Sequence, residues 1–185
     1  MPKIVAKKED WIHLGYQLFT EHGKKGVIID KMAKKLNCNR SSFYWHFKTK
    51  KAFINELVNY WVNIETQNII HAIDKKKSAK EKFITLVTLS FAKNHHLDFV
   101  FYLKKYAQSN KKIRMAIRNI DKRRKDYAYS IMIEMGLSPE EAIIKTSILY
   151  KYLIGYHETM RYAPQNKNYV AEVLNEISHI LPINQ

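Results

Sequence analysis

The chain has one cysteine, four prolines and five glycines in 185 residues. The lone cysteine, Cys38, forbids an intrachain disulfide and fits a reducing cytoplasm. So few prolines and glycines leave few places to break a helix, and no stretch sustains the alternation of a half-buried strand. Apolar runs of membrane-spanning length are missing too, because Lys145 and Lys151 interrupt the longest candidate. The opening MPKIVAKKEDW lacks the apolar core of a secretory signal, so a cytoplasmic chain with no membrane partner is expected. Catalytic signatures are also lacking. There is no nucleophile-elbow glycine motif and no phosphate-cradling glycine loop, which points away from an enzyme. His95 and His96, with Asp98 nearby, invite a metal reading, but adjacent helical histidines point about 100° apart and make poor co-ligands. No metal and no cofactor are expected.

Acidic residues are scarce relative to basic ones: 17 against 32, a net charge of +15. Residues 1–50 carry eleven basic and four acidic side chains, and residues 51–125 carry seventeen and six. Residues 126–185 reverse the balance, with four and seven. A basic surface favours a polyanionic partner through counterion release. The middle is more basic than the amino-terminal part, so charge alone does not locate a binding face, and runs such as Lys75-Lys76-Lys77 are ordinarily solvated surface.

What is abundant is helical periodicity, and it is organised around residues 27–50, VIIDKMAKKLNCNRSSFYWHFKTK. Ile29, Met32, Ala33 and Leu36 form one buried stripe. Asn37, Cys38 and Asn39 make a turn, with Asn39 placed to cap a second helix from Arg40. Asn tolerates the left-handed conformation that the turn needs, and Cys38 reads as a small filler between the two helices. On the second helix Phe43 and Phe47 share one side, while Ser41, Tyr44, Trp45 and Lys48 share another, with Arg40 between them. Hydroxyls, ring edges and cations together suit a helix lying in a DNA groove. A preceding helix, Lys7 to His22, offers Trp11, Leu14, Gly15, Leu18 and Phe19 as the third wall of a small core, with Gly23 placed for a left-handed C-cap.

This stretch resembles the TetR-type (tetracycline-repressor-like) transcriptional regulators, whose second motif helix ends in an aromatic-aromatic-His-Phe run. Here that run is Tyr44-Trp45-His46-Phe47, followed by Lys48-Thr49-Lys50. The likeness covers about the first 55 residues. Three positions depart from the pattern: Asn37 replaces a turn glycine, Ser41 replaces a common glycine, and Ile28 replaces a threonine that caps the first motif helix and touches a phosphate. The resemblance implies an all-α fold, with a three-helix head at 1–49 and a larger helical effector-binding and dimerisation domain at 50–185. It implies phosphate contacts from Tyr44, His46 and Lys50, and base-edge or flanking contacts from Arg40, Ser42 and Trp45. Ser41 and Lys48 complete the expected DNA-binding set.

Further along, Thr49 can cap a helix from Lys50 to about Ile73, with Phe53, Leu57, Tyr60, Trp61 and Ile64 on its apolar face. Ser78 to Glu81 is a capping-box match for the next helix, running to about Asn94. Phe99 to Gln108 reads as a short aromatic helix, and Asn110 precedes a longer one ending at Gly136. Ser138-Pro139-Glu140-Glu141 is the best helix start in the chain. The last helix reads as Tyr169 to Leu181. The last two helices are net acidic and are expected to pair with their copies as a four-helix bundle through Leu149, Leu153, Gly155, Val173, Leu174 and Ile177. The Tyr106-Ala107, Gly136 to Ala142 and Tyr150 to Gly155 stretches also resemble the C-terminal half of TetR-type chains.

The chain has twelve Tyr, eight Phe and three Trp, more rings than one small core needs. Trp61, Phe91, Tyr102, Tyr106, Tyr127, Tyr150, Tyr156 and His157 are candidates to line a cavity with polar tips, although rings also simply fill core. The resemblance implies an effector pocket, which those rings would suit to an apolar or aromatic small molecule. The expected whole is a homodimeric repressor of a palindromic operator in double-stranded DNA. The alternative is a basic helical module that binds RNA or another acidic partner through its middle.

Overall fold

The computed structural model describes residues 6–92, 96–161, 163–179 and 181. Ten α-helices and no strand are found among the described residues. They are α1 (Lys8–His22), α2 (Ile29–Lys35), α3 (Arg40–Phe47), α4 (Lys50–Val62), α5 (Asn68–Asp74), α6 (Ala79–Phe91), α7 (His96–Ala107), α8 (Lys111–Glu134), α9 (Pro139–Thr159) and α10 (Tyr169–Ser178). A 3-10 turn, Gly23–Lys25, follows α1, and a π turn, Asn63–Gln67, joins α4 to α5. Packing groups the chain into two units: Met1–Asn63 with His95–Ile117, and Ile64–Asn94 with Arg118–Gln185.

The first unit is built on rings. Trp11 packs edge-on against Phe43 at 5.3 Å between centroids, Phe43 against Phe53 at 5.1 Å, and Phe47 against Phe53 at 4.7 Å. Each fully buried ring is worth roughly 1.5–3 kcal/mol relative to exposure, enough for three short helices to hold one another. Gly15 allows this approach, since a Cβ there would lie 2.2 Å from the Phe53 ring. On the other side of α1, Tyr16 and Phe19 meet Phe99 of α7 at 4.5 and 4.9 Å.

The second unit buries Ile73, Phe83, Val87, Phe91, Ile131, Met132, Ala142, Leu149, Val173, Ile177 and Leu181 in one apolar cluster. Its helices start where local chemistry dictates. The Ser78 and Ser138 hydroxyls accept from the backbone N–H groups of Glu81 and Glu141, whose carboxylates accept in return from the backbone N–H groups of Ser78 and Ser138. Those reciprocal bonds hold both carboxyls below the usual carboxylate range.

Several boundaries differ from expectation. The helix from Lys50 does not run unbroken to Ile73; the π turn interrupts it. A π turn takes in extra residues without breaking the chain of helical bonds, so a 3.6-residue pattern does not reveal it. Gly23 has the expected positive φ (+62°), but its ψ of −156° is not left-handed helix, and the chain runs on into the 3-10 turn. Asn39 is extended as a cap should be, yet its side chain makes no cap bond. Helix α7 begins earlier than Phe99, and α10 stops at Ser178. His95 of the histidine pair lies outside the described residues.

Candidate nucleic-acid interface

Helix α3 is fixed from behind and open in front. Phe43 and Phe47 are buried on its inner side, as their spacing requires. The turn before it has the left-handed residue expected, Asn37 at φ +49°. The turn after it is tighter: the Thr49 N–H donates to the Phe47 carbonyl at 2.6 Å, a γ-turn centred on Lys48 at φ +58° and ψ −43°. A non-glycine residue held there costs on the order of 1–3 kcal/mol, and such strain gathers at functional sites. Thr49 then caps α4, accepting from Ala52 N–H at 3.1 Å.

The outward side chains form an ordered set. Trp45 is 76% exposed, and Tyr44 is 37% exposed. Arg40 donates from Nη2 to the Tyr44 hydroxyl at 3.1 Å and lies 3.5 Å from the carboxylate of Asp30 on α2. The Tyr44 oxygen is then an acceptor for Arg40, which leaves its own O–H to donate elsewhere. Ser41 and Lys48 are exposed. His46 is half-buried, its Nε2 donating to the Ala6 carbonyl at 2.9 Å. Lys50 donates to the Lys24 carbonyl at 3.4 Å; burial first and the Lys24 charge second push its pKa down. Ile28, with no hydroxyl, precedes α2 without a side-chain cap.

One expectation is corrected. Ser42 was placed among the groups reaching base edges, but it is 8% exposed. Its hydroxyl accepts from Trp11 Nε1 and donates to the Ala6 carbonyl, both at 3.4 Å. Ser42 lies one residue from Phe43 and is turned to the same interior, so it ties the head together instead. Two residues that the sequence did not single out matter here: Asp30, which steadies Arg40, and Lys24, beside Lys50. Neither pairing has a sequence signal, because each joins residues at least ten apart. Cys38 is partly buried and its thiol is pushed up by that burial, the opposite of a reactive thiolate.

Residues 12–57 match the family model described as "Bacterial regulatory proteins, tetR family". The amino-terminal quarter of the chain is thus similar to the DNA-binding part of the TetR-type regulators. Solved structures of transcriptional regulators share the fold over nearly the whole chain. A transcriptional regulator from Rhodococcus sp. Rha1 superposes with a TM-score of 0.79 at 12% identity, covering 95% of each chain. One from Saccharomonospora viridis, solved in complex with choline, gives 0.78 at 15% identity over 92% of this chain and 94% of that one. The fatty acid degradation regulator FadR from Bacillus halodurans gives 0.67 at 16% identity over 95% and 96%. No curated protein matches the chain. The likeness is one of fold over the chain and of family pattern over residues 12–57, and no described helix is long and apolar enough to cross a membrane.

The rings expected to line an effector pocket divide between the two units. Trp61, Tyr102 and Tyr106 belong to the first, where Trp61 is buried near Phe99 and Lys24 Nζ lies 4.9 Å from the Tyr106 ring centre. Phe91, Tyr127, Tyr150, Tyr156 and His157 belong to the second. There Phe91 meets Tyr156 at 5.2 Å and His157 at 6.3 Å. Polar tips in this unit are turned onto partners. Tyr150 donates to Asp121 at 2.6 Å, Tyr127 to Asp74 at 2.5 Å, and His157 Nε2 to the Ser90 carbonyl at 2.7 Å. Arg124 Nε donates to Thr66 in the π turn at 3.1 Å. Burial pushes His157 below its ordinary value of 6.5, so the ring is neutral at pH 7.

The expected dimer face also needs correction. Leu149, Val173 and Ile177 are buried in their own chain's core, because the apolar stripes of α9 and α10 pack inward. Leu153 and Leu174 are partly buried, and Gly155 is open, with nothing within 4 Å of a Cβ built on it. On the outer face of α9, Ile143 and Ile144 are 62% and 60% exposed.

Proposed function

We propose that the chain is a homodimeric repressor whose α3 helices enter successive major grooves of a roughly palindromic operator, acting on the nucleoid in the cytoplasm. The observation that carries this reading is the exposed Trp45, next to an Arg40 already held by Tyr44 and Asp30. An open tryptophan offers a partner a large ring face with a polar N–H edge, and a pre-ordered guanidinium loses less entropy on binding a base edge or phosphate. Tyr44, His46, Lys48 and Lys50 would hold phosphates; Arg40, Ser41 and Trp45 would reach base edges or the phosphates beside them. Two α3 helices related by a twofold axis would read half-sites spaced by whole helical turns.

The functional boundary falls at 49/50, with 50–185 sensing and dimerising. The dimer would use the outer faces of α9 and α10, around Leu153, Gly155 and Leu174. An apolar or aromatic effector, taken among Phe91, Tyr150, Tyr156 and His157, would release the operator by favouring the conformation that binds DNA worse. Selection of bound sites from random duplex DNA tests the whole reading. A recovered palindrome with half-sites one turn or more apart is the expected result. Recovery of no preferred sequence, with RNA bound as tightly as DNA, would replace it with the RNA-binding alternative.

A further inference from the structure

The first unit carries more cations than its reading helix uses. Residues 98–117 hold Lys104, Lys105, Lys111, Lys112 and Arg114 against one acid, Asp98. These five cations are exposed, and none makes an ion pair among the described residues. They sit at the corner where α7 ends and α8 begins.

That corner is tied to the head at the 3-10 turn. A Cβ on Gly23 would lie 2.6 Å from Tyr102 Cδ1, and φ is +62°, so glycine alone lets the turn press on α7. One residue on, Lys24 Nζ lies 4.9 Å from the Tyr106 ring centre, and the Lys24 carbonyl accepts from Lys50 Nζ at 3.4 Å. Contact therefore runs unbroken from Lys50, at the start of α4, through Lys24 to the last turn of α7. Lys50 and Lys24 lie side by side with like charges, and burial first and the Lys24 charge second push the Lys50 pKa down. An anion beside both would relieve their mutual repulsion. A one-sign surface continuous with a DNA-reading face adds affinity for any duplex lying along it.

We propose that the α7–α8 corner, joined to the head through Lys24 and Tyr106, is a second phosphate-contacting surface that takes the duplex flanking the half-site read by α3. This rests on the DNA-reading role of α3. It explains why the middle of the chain is more basic than the head: the interface does not end with the helix-turn-helix. The flanking contacts go to phosphate alone and carry no sequence information.

The test uses the full chain and an operator recovered by selection, as two duplexes: the core site alone, and the same core extended by about ten base pairs, one turn, at each end. The variant K104Q/K105Q/K111Q/K112Q removes four exposed charges; K104R/K105R/K111R/K112R keeps them. On the long duplex, wild type and the arginine variant should bind at least tenfold tighter than on the core. The glutamine variant should lose that gain, with its salt slope shallower by about two to four units. On the core duplex all three should agree, which also shows that the variants fold. Equal wild-type affinity for both duplexes would overturn the proposal, as would an unchanged slope in the glutamine variant. Tighter binding of a matched RNA duplex through the same lysines would overturn it as well. Absence of any preferred operator is a different failure, that of the DNA-reading role itself.

Discussion

The two packing units treat polar chemistry in opposite ways. In the first, Arg40, Tyr44, Trp45 and Lys48 are turned outward on a helix whose back is locked by Phe43 and Phe47. In the second, Tyr127, Tyr150, Arg124 and His157 are each paired with another group of the same chain. An outward set that is ordered by its own contacts yet still open to solvent suits a large charged polymer, which brings its own phosphates. Buried polar groups must be paired to be tolerated, and in the second unit Asp121, Thr66 and Ser90 supply those partners.

The largest expected effect tests the rigidity of the first unit. Phe43→Ala should cost about 3–5 kcal/mol and abolish operator binding while leaving the helices of the second unit formed. Circular dichroism during urea unfolding would show this, and a single cooperative loss of all helix would break the contrast between the units. Next comes the outward set. Arg40→Ala should reduce discrimination between operator and random DNA by about 1–3 kcal/mol, read by competition binding. Equal losses on both DNAs would demote Arg40 to a positioning group.

Lys50→Ala should weaken binding alike on every sequence and shallow the salt slope by about one unit; an undiminished slope would remove Lys50 from the phosphate set. Gly155→Leu replaces a helical glycine at which an added Cβ would meet nothing within 4 Å. It should leave monomer stability unchanged or raised by up to about 1 kcal/mol, yet weaken the dimer seen by sedimentation. A dimer of undiminished affinity would move the interface away from Gly155.

The smallest effect concerns the inward chemistry of the second unit. His157 has a folded pKa below its unfolded value, so the unfolded chain binds the extra proton first. Its contribution to stability is present above the unfolded value, near 6.5, and is lost as pH falls through the lower folded pKa. The melting temperature should fall between pH 7 and pH 5 more steeply in wild type than in His157→Gln. Parallel curves would mean that the buried imidazole is not set apart as described. Glu81 and Glu141 act in the same direction at lower pH, since their carboxyls are also held down.

Local patterns were the most legible. The bounds of α3, the left-handed Asn37, the Thr49 cap and both serine capping boxes follow from residues within a few positions of one another, where side-chain size and one hydrogen bond decide the outcome. Chain-local periodicity also placed Phe43 and Phe47 inside and Trp45 outside. The family pattern, carried over by position, failed at Ser42, which shares a helix with outward residues but sits between Trp11 and Ala6, segments more than thirty positions away. Periodicity failed at Leu149, Val173 and Ile177, because an apolar stripe does not say whether its partner is the same chain or a second copy.

By itself, then, the amino-acid order determined that the chain is helical, where most helices begin, and that one short helix near the amino end has a face unlike ordinary core or solvent surface. Only tertiary structure decided which polar groups point outward and which are consumed inside. It alone paired Arg40 with Asp30, set Lys24 beside Lys50, and interrupted the helix after Val62 with a π turn. The physical reason is range: backbone hydrogen bonds and caps act over one helical turn, whereas burial and ion pairing depend on neighbours that the folded chain brings from far along its length.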